Sequence, residues 1–569
     1  MAIQIEVNNT LIEAIEGETI LMALRRNGFK IPTLCYMSSY TPTGACRLCV
    51  VEVEGKKDLI TSCSYPVEDG LKIKTNSQAV IRARKTIVEL LLANHPDDCL
   101  YCVRNGSCEL QYLAEELHIK ERKFYSKKNP YRPDHSSSSV FRDPAKCVLC
   151  SRCVRVCEET QLVNAIDFFS KAGQTKVNSA YDRGLNISTC IHCGQCVLVC
   201  PTGALVEISH SERVQAAIDN PDITVVATIG PTVAVSIAAE LGLKANTDYR
   251  ATLNAALLKM GFSYVFDTGF ATDLNIIEEA RELQNRISQN SKMPLFSSCC
   301  PSWVKYCEDY HPELLTHLSP LKSPQQIMGT ILTSRLPEML GKEMEKLFVV
   351  SIEPCVAKKY EASREELTQK GFSDVDAVLS VRELLRMFRM HGIDMKKTEP
   401  IALGEIFTSA SALSAMTGYS GGKTEAVFYA LNSLMNGKKN NNIKFPTTRL
   451  TNNRREVKVE MGKKEIGFVA VSSISEIENL IKEISQNPNH GIHYVEVMAC
   501  MGGCVNGGGQ PLSYEQHMAK TRKKLLVEQE KTTNFYLPNE NQELGDFVKT
   551  YTGMEDELAL QSLYLHIQK

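Results

Sequence analysis

The sequence lacks an excess of charge of either sign. Its 569 residues carry 64 basic and 66 acidic side chains, for a net charge of -2. A protein whose main partner is nucleic acid usually shows a basic surplus, so that class is excluded. No stretch of 18 or more apolar residues occurs, so no membrane-spanning helix is expected. The opening Met1-Ala-Ile-Gln-Ile-Glu-Val lacks the basic and apolar regions of a secretory leader, which points to the cytoplasm. The length exceeds what one hydrophobic core organises, so several domains are expected.

What the chain has is cysteine: 21 in all, of which 15 precede residue 201. In a large cytoplasmic protein, tight C-x-x-C spacing points to metal and not to disulfides. Residues 1–80 open with alternating Ile3, Ile5 and Val7, a half-buried strand, then a turn at Asn8-Asn9 and a second strand at Leu11-Ile12. Ile20, Leu21 and Leu24 follow at helical spacing. Cys35, Cys46, Cys49 and Cys63 then give three ligands on one loop and a fourth from a distant segment. That is the plan of a plant-type 2Fe–2S centre, although its first gap is usually shorter. Zinc also takes four thiolates but favours two close pairs, and here one pair is close. The segment resembles a β-grasp ferredoxin domain.

Residues 81–126 form a second unit. A helix is predicted over 77–94, burying Val80, Ile81, Ile87, Leu90 and Leu91. His95, Cys99, Cys102 and Cys108 follow; alone they read as a zinc knuckle with one imidazole and three thiolates. The polar stretch 124–140, with Ser136 to Ser139, reads as a linker. Within 127–210 a repeat appears: Cys147, Cys150, Cys153, Cys157, then Cys190, Cys193, Cys196, Cys200-Pro201. Two C-x2-C-x2-C-x3-C runs are the two-cluster bacterial ferredoxin pattern, in which the fourth cysteine of each run serves the other cluster. One 4Fe–4S cluster is therefore expected on Cys147, Cys150, Cys153 and Cys200, the other on Cys190, Cys193, Cys196 and Cys157.

From residue 211 to 569 apolar runs alternate with helical patterns, which indicates α/β layers with parallel strands. Expected strands lie at 223–229, 264–266, 294–296, 347–352, 377–379, 466–471 and 493–498. A loop is expected at 436–442 and a mainly helical end from Leu526. Three cysteine segments each follow an expected strand: Ser297-Ser-Cys299-Cys300-Pro301, Glu353-Pro354-Cys355-Val-Ala-Lys358, and Met498-Ala-Cys500-Met-Gly-Gly-Cys504-Val-Asn-Gly507-Gly508-Gly509. Ligands in open α/β sheets bind at the carboxyl ends of strands, so these thiols can meet. The glycines are expected to let backbone approach a metal centre closely. Gly418-Tyr-Ser-Gly-Gly-Lys423-Thr424 nearly matches a phosphate loop, but Thr417 stands where its first glycine is required, so it reads as a structural turn.

Together the three segments resemble the signature of the iron–iron hydrogenases, and the whole chain is similar to the clostridial-type form with accessory clusters. That resemblance implies a multidomain protein with a two-lobed H-cluster domain. It implies reversible reduction of protons to dihydrogen, with ferredoxin or flavodoxin as electron carrier and maturation proteins supplying the diiron subsite. It makes the His95 site a 4Fe–4S centre, giving one 2Fe–2S and three accessory 4Fe–4S clusters. Cys300, Cys355, Cys500 and Cys504 would hold a cubane, with Cys504 bridging to a diiron subsite carrying CO, CN and a dithiolate.

The resemblance further implies a proton path of Cys299, Glu279, Ser319, Glu282 and Arg286, although the last two alone would read as a solvated surface pair. Lys358 would donate to a cyanide, Pro231 and Thr232 would cradle the other, and Gln325 and Met498 would line the site. This chain departs from the family at Glu353, usually methionine, at Gly230, usually alanine, and at Thr232, usually serine. A carboxylate is costly to bury unpaired, so Glu353 is expected to be protonated or paired and to alter the catalytic balance. Cys307 is expected to be a buried structural thiol. The proton couple, falling about 59 mV per pH unit, lies at roughly -410 mV at neutral pH, close to the roughly -400 mV of plant-type ferredoxins. Two rival functions remain, a hydrogen sensor and an iron–sulfur assembly factor without the diiron subsite.

Overall fold

A computed structural model describes the chain except residues 1, 122, 127, 129–130, 172–173, 244–248, 342, 344–345, 370–371, 405, 437–444, 447–450, 452, 462–463, 488, 513–517, 532, 534–535 and 553–569. Most of the loop expected at 436–442 therefore lies outside the described residues. The chain divides into two compact units. The first comprises Met1–Glu158, Asn164–Ser188 and Val199–Val206; the second comprises Glu159–Val163, Thr189–Leu198 and Glu207–Lys569.

In the first unit a five-stranded sheet is ordered Thr10–Ile15, Ala2–Val7, Lys72–Lys74, Val50–Val53, Ile60–Thr61. Ile5 and Val7 are fully buried against Leu21 and Leu24 of the helix Ile20–Arg26. Thr19 caps that helix by accepting from the Met22 N–H at 3.4 Å.

The predicted helix at 77–94 is observed as Gln78–Asn94, capped by Ser77. Its buried stripe differs from expectation: Val80, Arg84 and Val88 face inward, whereas Ile81 and Leu90 are about half exposed, at 48% and 49%. The reason is Arg84, whose guanidinium donates to the carbonyls of Leu48, Thr75 and Val50 at 2.8–3.1 Å. An apolar count misses this, because the most constrained side chain on the face is charged. Part of the expected linker is also ordered. Ser137 and Ser139 are buried, the Ser137 hydroxyl accepts from the Ser139 and Val140 N–H groups, and Asp134 pairs with Arg142 at 3.1 Å.

Eight strands build the two main sheets of the second unit. They are β1 (Thr224–Ile229), β2 (Tyr264–Asp267), β3 (Leu295–Phe296), β4 (Leu347–Glu353), β5 (Ala377–Ser380), β6 (Arg454–Met461), β7 (Lys464–Ser472) and β8 (Ile492–Met498). One sheet is ordered β2-β1-β4-β5 and is wholly parallel. The other is ordered β3-β8-β7-β6, parallel except for its edge pair β7/β6. Both faces of a parallel sheet are covered, so its strands are near-continuous apolar runs, and β1 is buried at all six positions. The strand not anticipated, β6, is at the antiparallel edge and alternates charged residues with Val457, Val459 and Met461. The sequence from Leu526 continues the helix Met518–Glu530 and contains Gln542–Thr552.

Two polar devices hold this unit together. Lys359, on the helix α1 (Ala357–Ala362), is fully buried and pairs with the equally buried Glu383 at 2.9 Å. Glu383 belongs to α2 (Val381–Met390), where it closes a capping box with Ser380 and also accepts from the His210 N–H. The His210 Nδ1 accepts from the Val378 N–H at 3.1 Å, which requires a neutral ring. Burial, helped by the charges of Lys359 and Arg213, pushes this imidazole down to about 3.

Glu383→Gln leaves the Lys359 ammonium buried without its counter-charge. It should destabilise the unit by about 3–5 kcal/mol, read as a lower denaturant midpoint. For His210 the unfolded ring takes up a proton near pH 6.5 and the folded one near 3, so its contribution to stability is present above 6.5 and lost as pH falls toward 3. A pH series of unfolding midpoints should show a shallower acid-side decline in His210→Gln than in the unaltered protein.

Candidate functional site

Each of the three cysteine segments starts at the carboxyl end of a strand: Ser297 after β3, Pro354 after β4, Ala499 after β8. The segments converge. Cys300, Cys355, Cys500 and Cys504 line a single cavity together with Cys299, Glu353, Lys358, Met498, Pro231, Thr232 and Gln325. The glycines make the convergence possible, though by another route than expected. A Cβ on Gly507 would lie 2.4 Å from the Pro354 carbonyl oxygen, and one on Gly509 would lie 2.9 Å from the Pro354 carbonyl carbon. The Gly509 N–H donates to that same oxygen at 2.7 Å. These glycines thus allow backbone to meet backbone, locking the Cys504 loop onto the Cys355 loop. Gly508 packs in the same way on Cys193 and Gly194.

The four thiols suit a metal cluster. Burial pushes the Cys300 thiol up, Cys355 up to about 12, and Cys500 and Cys504 well above the ordinary range. Thiolates in so dry a place require strongly positive partners, which iron supplies. Backbone and amide N–H groups already face the sulfurs: Ala499 N–H points at Cys300 (3.5 Å), and the Gln195 side chain donates to Cys500 at 3.1 Å. Thr232 Oγ1, Thr268 Oγ1 and Gln325 Oε1 border the same cavity, are buried, and have no hydrogen-bond partner among the described residues. A cofactor bearing small polar ligands would satisfy them.

Lys358 is less free than expected. Its ammonium donates to Ser323 Oγ at 2.7 Å and Glu361 Oε2 at 2.8 Å, with the Cys299 carbonyl at 3.5 Å. Two of its three protons are committed within the protein; the third is weakly held and available to a ligand. Gln325 also donates to Glu361, at 3.2 Å. Glu353 is buried, and burial, partly offset by Lys358 and reinforced by Glu361, pushes its carboxyl up to about 7. Its carboxylate occupies the space over Gly230, where an added Cβ would come within 2.7 Å of Oε2. Gly230 and Glu353 therefore fit each other.

The residues expected to form a proton path lie largely on α3 (Gly269–Gln289), where Asn275, Glu279, Glu282 and Arg286 share a face. Arg286 is buried and donates to Glu282 at 2.7 Å and to the carbonyls of Lys292, His317 and Leu318, so this pair is no loose surface contact. Ser319 is buried with its hydroxyl unpartnered among the described residues. Between Cys299 and Glu279 stands a residue that the sequence offered only as part of a failed phosphate loop. The Lys423 ammonium touches Cys299 Sγ and Glu279 Oε2 and donates to Asn275 Oδ1 at 2.6 Å. It sits in the first turn of α4 (Gly422–Asn436), whose N-terminus is pinned by the buried Glu496 of β8. That carboxylate accepts from the Gly421 and Thr424 N–H groups and the Thr424 hydroxyl at 2.7–2.9 Å. Asn275, Glu361, Ser323, Glu496 and Gln195 were equally missed. Only Glu361 carried a local signal, three residues after Lys358 on one helix face. Cys307 is fully buried away from the cavity.

The accessory sites have matching features. Cys35 pairs with Cys46 and Cys49 with Cys63. The hydrogen bonds from those partners pull the Cys35 thiol down to about 5 and Cys49 to about 6. His95 is buried with Nδ1 on the Pro96 carbonyl at 3.1 Å and Nε2 unpartnered among the described residues, the disposition of a ligating imidazole. Cys99 is exposed, and Cys102 and Cys108 are partly so. Cys147, Cys150, Cys153 and Cys200 line one pocket of the first unit. Cys190, Cys193 and Cys196 belong to the second unit and Cys157 to the first.

Residues 223–508 match the family described as iron only hydrogenase large subunit, C-terminal domain. The chain is 36% identical to the NADP-reducing hydrogenase subunit HndD of Solidesulfovibrio fructosivorans, with 97% of each chain covered. The chain belongs to the iron-only hydrogenase family. It is 34% identical to iron hydrogenase 1 of Clostridium pasteurianum, again over 97% of both. A solved apo form of FeFe-hydrogenase HydA1 from Chlamydomonas reinhardtii, a variant protein, superposes with a TM-score of 0.55 at 26% identity, covering 63% of this chain and 98% of that one. Toward the front, residues 1–78 match a 2Fe-2S iron-sulfur cluster binding domain, 84–123 an NADH-ubiquinone oxidoreductase-G iron-sulfur binding region, and 146–204 a 4Fe-4S dicluster domain. The hydrogenase is thus an oxidoreductase that interconverts protons, electrons and dihydrogen, with an H-cluster domain fed by accessory iron–sulfur domains. Among the described residues no helix is long and apolar enough to cross a membrane.

If Gly230 and Glu353 are matched, Gly230→Ala alone should cost about 1–3 kcal/mol through overpacking. Adding Glu353→Met should recover most of that loss, as measured by denaturant midpoints of the two variants against Glu353→Met alone.

Proposed function

We propose that Cys300, Cys355, Cys500 and Cys504 hold the 4Fe–4S cubane of the H-cluster, with Cys504 also the link to the diiron subsite. When bound, that group supplies the centre at which protons and electrons combine into dihydrogen. The observation that carries the proposal is the meeting of four thiols, from three separate strand ends, around one cavity walled by a fifth thiol, Cys299. Cys299 delivers protons to the centre, and Glu279, Ser319, Glu282 and Arg286 lead from it to solvent. Lys358 presents its least committed N–H to one cyanide. Pro231, Thr232 and Gln325 border the other ligands, and Met498 and Glu353 close the walls. An intact Cys299 wall favours turnover over a slow sensor or an assembly factor without a diiron subsite.

The accessory clusters are assigned as one 2Fe–2S on Cys35, Cys46, Cys49 and Cys63, and three 4Fe–4S. These lie on His95/Cys99/Cys102/Cys108, on Cys147/Cys150/Cys153/Cys200, and on Cys190/Cys193/Cys196/Cys157. The domains run 1–80, 81–126, 127–210 and 211–569. Gln195 and Gly194, in the last ferredoxin-like run, touch the Cys500–Gly508 loop, which supports electron delivery along that run. The carrier is ferredoxin or flavodoxin in the cytoplasm, and maturation proteins install the diiron subsite. The likeness to a subunit of an NADP-reducing hydrogenase favours a second electron partner, a nicotinamide-reducing subunit.

Anaerobically matured protein should show infrared CO and CN bands and hydrogen evolution with reduced ferredoxin. Cys504→Ser should abolish the bands while keeping the accessory-cluster signals. Bands without turnover would instead identify a sensor, and cluster iron without bands an assembly factor.

A further inference from the structure

Lys423 is 3% exposed, and its ammonium meets three acceptors: the Cys299 sulfur, a Glu279 oxygen and the Asn275 side-chain oxygen. An ammonium has three protons; here it donates to Asn275 and Cys299 and stands in ion-pair contact with Glu279. Asn275 is oriented by its own donation to the Lys322 carbonyl at 3.1 Å, which turns its oxygen toward Lys423 and the Cys299 thiol. Glu496 does not compete for the ammonium, since its two oxygens are occupied by the start of α4. The same contacts fix the backbone on either side of Lys423 and so set where its side chain reaches. Glu279 is fully buried, neither of its oxygens has a hydrogen-bond partner among the described residues, and its Oε2 is in ion-pair contact with Lys423.

A lysine in such a place is expensive to bury, and Glu279 supplies its counter-charge. Glu496 already anchors the α4 end. What the ammonium does is join the thiol on the cavity wall to the first carboxylate behind it. The thiol and that carboxylate have no hydrogen bond to each other among the described residues; each contacts the same nitrogen.

We propose that the proton route between Cys299 and Glu279 runs through Lys423, which is a proton-transfer residue of this hydrogenase. The proposal rests on the function assigned above, in which Cys299 serves the reacting centre. When the Cys299 proton has left toward that centre, one Lys423 N–H breaks and an S–H forms, leaving a neutral amine. A proton arriving from the solvent side protonates the Glu279 carboxylate, and the amine lone pair then takes it, which restores the ammonium–carboxylate pair. One proton moves inward per cycle, both side chains return to their starting charge, and no electron is exchanged. Asn275 positions the amine in both forms.

The test uses the matured full-length protein with Lys423→Met and Lys423→Gln. Gln keeps hydrogen-bond donors toward Cys299 and Glu279 but cannot release a proton. Both variants should lose about 100-fold or more in hydrogen evolution and in proton–deuterium exchange, the scale of a lost acid–base group. Their infrared CO and CN bands and iron content should stay as in the parent. A second readout needs no turnover: the S–H stretching band of Cys299, identified by its loss in Cys299→Ala, should shift in Lys423→Met. Gln with near-parental exchange would overturn the proposal, reducing Lys423 to a positioning residue, and so would an unmoved S–H band. If Lys423→Met does not fold, the Gln variant decides. If the parent itself shows no CO and CN bands, the H-cluster assignment fails, while the S–H band still tests the Lys423 contact.

Discussion

A single hydrogen bond marks the constraint on which the site depends, Gly509 N–H to the Pro354 carbonyl at 2.7 Å. It joins the loop leaving one parallel sheet to the loop leaving the other. Such a bond forms only if both backbones come within van der Waals contact, and Gly507 and Gly509 leave out the atoms that would prevent it. With this seam closed, Cys355 and Cys504 face the same space. The third thiol-bearing loop then needs only to follow β3, which is hydrogen-bonded beside β8 in the second sheet. The catalytic cavity is thus a consequence of backbone packing between two sheets, and the thiols are placed by it.

Around the seam the chain buries charge in matched sets. Lys358 and Lys359 are neighbours on one short helix and point apart: the first reaches Glu361 and the cavity wall, the second Glu383 and the sheet edge. A buried ion pair of this kind contributes little net stability against an apolar replacement, yet breaking one partner is severe. The pairs are therefore better understood as fixing geometry. Glu383 also caps its helix and holds the residue 210 backbone, so three elements share one carboxylate.

Much of the chain was legible because its chemistry is local. Cysteine runs at fixed short spacing declare cluster sites before any fold is known, and apolar runs bounded by turns declared seven of the eight main strands. The helix at 78–94 was found, but its inward stripe was not, since Arg84 is satisfied by carbonyls from residues 48, 50 and 75 that are distant in sequence. β6 was missed because an edge strand next to solvent carries charge at every other position. The stretch around 137–139 looked like a linker because serines were counted as polar and not as donors and acceptors for a buried turn. Within the site, every missed residue is polar and acts across a long sequence separation: Lys423 with Glu279, Glu496 with Thr424, Gln195 with Cys500.

The charges close to the cavity also explain Glu353. Four buried carboxylates stand there or one side chain away: Glu279, Glu353, Glu361 and Glu496. Two ammoniums answer them, Lys423 for Glu279 and Lys358 for Glu361. Glu496 is held by the N–H groups and dipole of a helix N-terminus. At Glu353 burial outweighs the field of Lys358, and Glu361 adds to it, so the carboxyl is pushed up to about 7. Burial in a dry cavity thus shifts this position toward the protonated acid. A protonated carboxyl is a hydrogen-bond donor as well as an acceptor. The cavity wall at Glu353 can therefore both give and take a hydrogen bond.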